Sequence, residues 1–415
     1  MADGDVITLP HRRPRKNRGK SPDWLSQCIR SSNNQPIPIL ANAMLFLRQD
    51  PRLSGCFAYD EMQEAAMLLR ALPGCLPAAP RPVSDNDLDI LQEYLQREGL
   101  SRLSRDVVHQ AVDMRARENT FHPLRQYLTA LVWDGTPRLN HWLETYLGAE
   151  PSPYAQAIGR MFLTGMCARV FEPGCKMDYM PVLEGPQGCG KSTVCQILGG
   201  EYYTDALPDV TSGKDVSQHL RGKWLVEVAE LSALGRAEAA ALKAFLTREV
   251  ERYRPPYGRL EVVQPRQCCF VGTTNKSAYL RDETGGRRFW PVKVGKIEVD
   301  ALSADRDQLF AESWRIYENG IAWWPDQQFE RQHILREQEL RFDADAWEES
   351  ISQYLATQEQ VLVGEIARNA LGMTSKQIGR AEQNRIVAIL NRLGWKRQAK
   401  DSRGNFPWRL NRPYG

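Results

Sequence analysis

Gly185-Pro-Gln-Gly-Cys-Gly-Lys-Ser192, led in by the apolar run Met180-Pro-Val-Leu183, decides the fold of the central part of this chain. The stretch fits G-x-x-x-x-G-K-[ST], in which a strand delivers the chain to a glycine loop that opens a helix. Glycine there lets main-chain N–H groups turn inward around phosphate oxygens, where a Cβ would obstruct them. Lys191 is placed to reach the β/γ-phosphates and the Ser192 hydroxyl to take a position on Mg²⁺. The helix predicted over Thr193-Val-Cys-Gln-Ile-Leu198 points its positive end at the same anion. The candidate nucleotide contacts are therefore Gly185, Gln187, Gly188, Cys189, Gly190, Lys191, Ser192 and Thr193. Pro181 cannot donate to a ladder, so it is predicted among the first residues of its strand.

Outward from this loop, 415 residues allow two or three domains. No run of about eighteen apolar residues occurs, which predicts no membrane span, and the N-terminus lacks the apolar stretch of a secretory signal. Nine cysteines with no C-x-x-C pair read as reduced thiols in a cytoplasm, without a zinc site. The net charge of +3 is unevenly spread. Residues 1–20 hold six Lys/Arg against Asp3 and Asp5, and residues 375–415 hold ten against Glu382 and Asp401. Two basic ends on an acidic middle point to a polyanion held by the ends, the alternative being solvated tails.

Residues 1–22 are basic and proline-containing and are expected to be a disordered tail. From 23 to 120 a helical region is expected, with apolar periodicity over Tyr59–Leu72 and again over Asp85–Leu95. The ATPase domain is assigned to 121–328, with helices over Pro123–Val132, Leu139–Leu147 and Tyr154–Val170. Beyond the loop, Gly222-Lys-Trp-Leu-Val-Glu-Val-Ala-Glu230 reads as a buried strand with acids near its carboxyl end. Glu230, at the exit, is assigned to water activation and Glu227 to the metal; an ion pair for Glu227 is the alternative. Gln267-Cys-Cys-Phe-Val-Gly-Thr-Thr-Asn275 is a second buried strand, ending in an Asn able to hydrogen-bond a γ-phosphate or the attacking water. Leu280-Arg-Asp-Glu-Thr-Gly-Gly-Arg-Arg-Phe-Trp-Pro291 sets Arg287 and Arg288 beside aromatics. Arg288 is the preferred charge-stabilising group and Arg287 its support, with structural ion pairing as the alternative. In Arg252-Tyr-Arg-Pro-Pro-Tyr-Gly-Arg259, basic and aromatic residues alternate around a proline turn, which suits DNA through Arg254, Tyr257 and Arg259, a merely structural proline loop being the alternative.

Residues 329–415 are expected to be a linker helix and a winged helix-turn-helix domain. A short helix over Val361–Leu371 precedes a second, capped by Thr374 or Ser375 and running to Leu393. Trp395–Gln398 and Phe406–Leu410 then flank a basic loop. Such a domain sets its second helix in the major groove, with Arg380, Arg392, Lys400 and Arg403 as phosphate contacts; a wing that only docks on the ATPase is the alternative.

The ordered series of motifs resembles the virulence-associated protein E family, P-loop ATPases of phages, plasmids and pathogenicity islands related to superfamily 3 helicases within the AAA+ class. The residues that carry it are Trp133-Asp-Gly135, Pro173-Gly-Cys-Lys176, Leu183–Ser192, Trp224–Leu231, Lys243-Ala-Phe245, Tyr253–Gly258, Gly272–Asn275 and Leu280–Pro291, spread over about half the chain. The resemblance implies an α/β P-loop AAA+-like core, ATP with Mg²⁺, single-stranded or forked DNA, and a homo-oligomer, a hexameric ring. It also implies a neighbour-supplied arginine, a hairpin entering the ring channel at 252–259, and helicase work beside a primase or other replication proteins of a mobile element. The first hundred residues are too short for the primase domain of longer relatives. A DNA-binding initiator or regulator whose ATP site controls assembly is the alternative function. A metabolite kinase is disfavoured, since a kinase needs a substrate lid rather than arginines after an Asn strand.

Overall fold

A computed structural model describes residues 23–75, 80–233, 236–254, 260–280, 286–342, 345–401 and 404–411; the basic tail expected over 1–22 lies outside them. The chain divides into two compact units, Met1–Pro123 and Leu124–Gly415.

In the first unit, helices α1 (Leu40–Gln49), α2 (Asp85–Arg97) and α3 (Arg105–Arg117) share a core with a small sheet. Its strands are β1 (Phe57–Asp60), β2 (Ala65–Leu68), β3 (Arg81–Pro82) and β4 (Thr120–Phe121), in the order β3-β2-β1-β4. The helix expected over Tyr59–Leu72 is therefore corrected to a hairpin. Asp60 Oδ1 accepts from the N–H groups of Met62 and Gln63 (2.8 and 3.0 Å), and Glu64 takes φ +50°, so the chain reverses there. The short apolar run Ala65–Leu69 serves a strand as readily as a helix, and pairing with β1 decides it. The second periodic stretch is helical as expected, from Asp85.

The second unit opens with α4 (Pro123–Ala130), α5 (Trp142–Leu147) and α6 (Pro153–Phe171), the last buried almost all round. Five parallel strands follow: β5 (Met180–Glu184), β6 (Tyr203–Thr204), β7 (Leu225–Val228), β10 (Cys269–Thr274) and β11 (Phe289–Lys293). Their order is β11-β5-β10-β7-β6, so β10 lies between the glycine-loop strand and the acid strand. Pro181 is the second residue of β5, close to where its missing N–H predicts it. Around the sheet lie α7 (Lys191–Gly199), α8 (Lys214–His219), α9 (Arg236–Leu246) and the long α10 (Val299–Glu318). Arg306 on α10 donates to the carbonyls of Ile197 and Leu198 (2.6 and 3.1 Å), closing the C-terminal end of α7. An antiparallel hairpin, β8 (Val250–Tyr253) and β9 (Val262–Pro265), stands outside the main sheet.

Gly272 in β10 is a packing glycine. A Cβ there would come 2.4 Å from Leu231 Cδ1 and 3.2 Å from Met180 Cε. Gly272→Val is expected to destabilise by about 2 kcal/mol through overpacking, read as a thermal midpoint lowered by several degrees. An unchanged midpoint would mean that Leu231 moves aside freely.

After α11 (Gln327–Phe329) and α12 (Leu335–Glu339), α13 (Glu348–Leu355), α14 (Val363–Asn369) and α15 (Arg380–Arg392) share a small core with the hairpin β12 (Trp395–Arg397) and β13 (Trp408–Leu410). Helix α15 starts at Arg380 rather than near Thr374, which corrects the expected cap. Thr374 and Gln377 close a turn (Thr374 Oγ1 to Gln377 Oε1, 2.8 Å), and Glu382 takes the N–H of Gly379 at 3.0 Å. Ile386, Ile389 and Leu390 face inward.

Candidate functional site

The carboxyl ends of β5, β10 and β7 meet in one open cleft of about 410 Å³. Gln187, Gly188, Gly190, Lys191, Ser192 and Thr193 form one wall, and Glu227, Ala229, Glu230, Thr273, Thr274 and Asn275 the other. Parallel pairing brings them together: Thr274 lies opposite Glu184 at the root of the loop, and Val271 opposite Glu227. The sequence-derived residues 187, 188, 190–193, 227, 230 and 275 are thus gathered into one place, while Gly185 and Cys189 do not line it.

The loop itself is built for an anion. Gly188 and Gly190 take φ of +78° and +98°, a region that favours glycine. Among the described residues, the N–H groups from Gln187 to Thr193 donate to no carbonyl or side chain, leaving them to solvent or a ligand. Lys191 Nζ donates to the loop's own carbonyls, Gly185 at 2.8 Å and Pro186 at 2.7 Å. Its ammonium is therefore held over the loop rather than spent on a carboxylate.

Glu227 is 1% exposed and has no ion-pair partner among the described residues. Ser192 Oγ (2.8 Å) and Thr273 Oγ1 (2.7 Å) donate to its Oε1, and the Tyr203 phenol donates to its Oε2. Burial, reinforced by that bond, pushes the Tyr203 phenol far above its ordinary range. Among the described residues the partners of Glu227 are hydroxyls alone, whereas buried carboxylates are ordinarily paired with a cation or coordinate a metal. Carboxylate and hydroxyl oxygens are the donors that Mg²⁺ prefers, so the residues present fit that ion, and Ser192 and Glu227 are the ones that could hold it.

Glu230 stands differently. It is exposed at the cleft and takes φ +53°, a conformation costing a non-glycine residue of order 1–2 kcal/mol. Its carbonyl accepts from Ala233 N–H (2.8 Å), which fixes the turn and aims the residue where β7 ends. Local backbone strain of this kind concentrates at functional sites.

Glu184, buried at the end of β5, accepts from Tyr279 Oη (2.8 Å) and Arg341 Nε (3.0 Å). The segment entering the C-terminal part is thereby tied to the root of the glycine loop.

Arg287 and Arg288 do not reach this cleft. They form a single turn before β11, at the amino ends of the strands, with Phe289 paired to Met180. A five-residue strand spans roughly 16 Å, and the cleft lies at its far end. Arg287 is exposed and Arg288 half-buried, near Tyr179, which stacks on Trp290 at 4.7 Å.

The base of the β8–β9 hairpin is rigid: buried Glu251 takes Ser217 Oγ (2.6 Å) and Arg266 Nε (2.5 Å). Arg254 leaves the hairpin exposed, while Tyr257 and Arg259 lie outside the described residues. In the C-terminal part Arg380 and Lys400 are exposed, and Arg403 lies outside the described residues. Arg392 turns back on its own core, 3.3 Å from Glu348 and 3.5 Å above the Phe342 ring, which occupies it internally.

Tyr203 and Thr273 carry parts of this site that sequence reasoning missed. Thr273 lies inside the Gln267–Asn275 stretch and could have been found there; Tyr203 stands in a two-residue strand with no periodicity to mark it.

The sequence model described as the Virulence-associated protein E-like domain matches residues 128–343, just over half of the chain. Among solved structures, the A form apo structure of the NrS-1 C-terminal region aligns with a TM-score of 0.47 at 13% identity, over 85% of this chain and 95% of that one. The apo structure of the same region aligns with a TM-score of 0.44 at 14% identity, again over 85% and 95%. No curated protein matches the chain at a significant level. No helix among the described residues is long and apolar enough to cross a membrane.

Proposed function

We propose that this chain, which belongs to the virulence-associated protein E-like family, hydrolyses MgATP to drive a DNA helicase or translocase in the replication of a mobile element. The observation that carries this reading is Glu227, a buried carboxylate without a cationic partner among the described residues, 2.8 Å from the loop serine. A P-loop AAA+ core is the architecture in which these parts have a purpose. The free N–H groups of the loop would wrap the phosphates, and Lys191 would exchange its two carbonyls for β/γ-phosphate oxygens. Ser192 keeps its proton on Glu227 and offers its lone pairs outward. The chemistry a bound magnesium supplies is neutralisation of charge on the β- and γ-phosphate oxygens. Glu230 takes the role of orienting the attacking water, and Asn275, exposed at the end of β10, that of contacting the γ-phosphate.

Arg287 and Arg288 lie too far from their own cleft to serve it, which favours supply to the neighbour's cleft in a homo-oligomer, a hexameric ring. The β8–β9 hairpin, stiff at its base and basic beyond it, suits contact with DNA in the ring's channel through Arg254, Tyr257 and Arg259. The three C-terminal helices and β12–β13 suit a winged helix-turn-helix on duplex or forked DNA, with Arg380, Lys400 and Arg403 on phosphates. A primase and other replication proteins of the element are the expected partners, in a bacterial cytoplasm.

Strand displacement on a forked substrate tests the motor: MgATP-dependent unwinding is expected. Origin binding with slow hydrolysis and no unwinding would instead favour an initiator. For the C-terminal domain, log affinity for duplex is expected to fall linearly with log salt. Arg380→Ala combined with Lys400→Ala should flatten the slope by about 0.9 per lost contact. An unchanged slope would remove this domain as a DNA reader.

A further inference from the structure

Glu227 has a carboxylate that could rotate about χ3 and lose its aim at Ser192, yet both of its oxygens are occupied by donors from different strands. Thr273 reaches Oε1 from β10, as the penultimate residue of that strand. Tyr203 reaches Oε2 from β6, on the opposite side of β7. The phenol is held there by a close approach. Gly199, the last residue of α7, has no room for a side chain: a Cβ would stand 2.7 Å from Tyr203 Cβ and 3.0 Å from Leu225 Cβ. The helix that begins with Lys191 and Ser192 therefore ends against the base of the tyrosine. Ser192 and Tyr203 grip the same carboxylate from the two ends of α7.

We propose that Tyr203 and Thr273 are positioning residues that hold the Glu227 carboxylate toward Ser192 and so set the affinity of the site for a divalent cation. The inference rests on the magnesium–nucleotide reading above and assigns it two further side chains. Both hydroxyls are bonded to Glu227 rather than to the glycine loop. Their effect runs through the angle of Glu227, as outer partners of metal-holding carboxylates act elsewhere, where their loss weakens metal binding about 10–100-fold. Thr273 shares Oε1 with Ser192, so its loss loosens the oxygen nearest the cation. Tyr203 is alone on Oε2, so its loss frees the group to rotate.

Equilibrium binding of a fluorescent ATP analogue, titrated with Mg²⁺ in a Glu230→Gln background to suppress turnover, tests this. Tyr203→Phe, which keeps the ring against Gly199, and Thr273→Val are each expected to raise the Mg²⁺ midpoint about tenfold. Nucleotide affinity in EDTA should stay at its starting value. Thr273→Ser, which retains the hydroxyl, should bind Mg²⁺ like the parent. Midpoints within about twofold of the parent for both variants would overturn the proposal, since outer-partner losses run larger. Equal weakening with and without Mg²⁺ would overturn it too, because that is the signature of a merely structural role. A parent protein whose nucleotide binding ignores Mg²⁺ would overturn the magnesium reading itself, and this proposal with it.

Discussion

Glu230→Gln should still bind MgATP and hydrolyse it orders of magnitude more slowly. Phosphoryl transfer asks a protein mainly for positioning and charge stabilisation, and a well-placed reactant can be worth about 7–11 kcal/mol of barrier. Glu230 is held at the mouth of the cleft in a left-handed conformation that the following turn enforces. The amide of Gln fits that space but cannot accept a proton, so binding survives and turnover does not. Lys191→Ala should abolish turnover as well, by a different route: the loop's N–H groups remain, and the point charge on the β/γ-phosphates is gone. Nucleotide-binding titrations beside steady-state rates separate the two. If Glu230→Gln turns over normally while Glu227→Gln fails, the roles of the two acids are reversed.

Arg288→Ala is the second large effect. An arginine supplied from a neighbouring subunit can be worth about 10³–10⁵ in rate. Arg288 sits a strand's length from its own cleft, beside Phe289 and Trp290, whose burial fixes where the turn points. Lys191→Ala and Arg288→Ala should each be inactive alone. Mixed under conditions where subunits exchange, they should partly recover activity, because some interfaces then pair an intact loop with an intact arginine. A mixture as inactive as its parents would return Arg288 to a structural role.

The central site was legible in the sequence because its pieces are contiguous. The glycine loop carries its own strand and helix, and Glu227, Glu230 and Asn275 stand at the ends of buried apolar runs that a parallel sheet brings side by side. Tyr203 was not legible, since its partner lies 24 residues further on and only the pairing of β6 with β7 brings them together. The hairpin over Phe57–Leu68 was misread as helix because a five-residue apolar run fits both periods, and an Asp60 side-chain turn settled it. The start of α15 was misplaced for a related reason. Thr374 does make a side-chain turn with Gln377, but the N-cap is Gly379, whose N–H is taken by Glu382, and the helix starts at Arg380. The basic count of the C-terminal part also overstated its free charge, since Arg385 pairs with Asp345 at 2.6 Å and Arg392 with Glu348 at 3.3 Å.

Steady-state hydrolysis of MgATP by the 415-residue chain, measured with and without single-stranded DNA, bears most directly on the proposed function. The predicted result is turnover that rises when the DNA is added and disappears in Lys191→Ala. Turnover absent under both conditions, or persisting unchanged in Lys191→Ala, would contradict it.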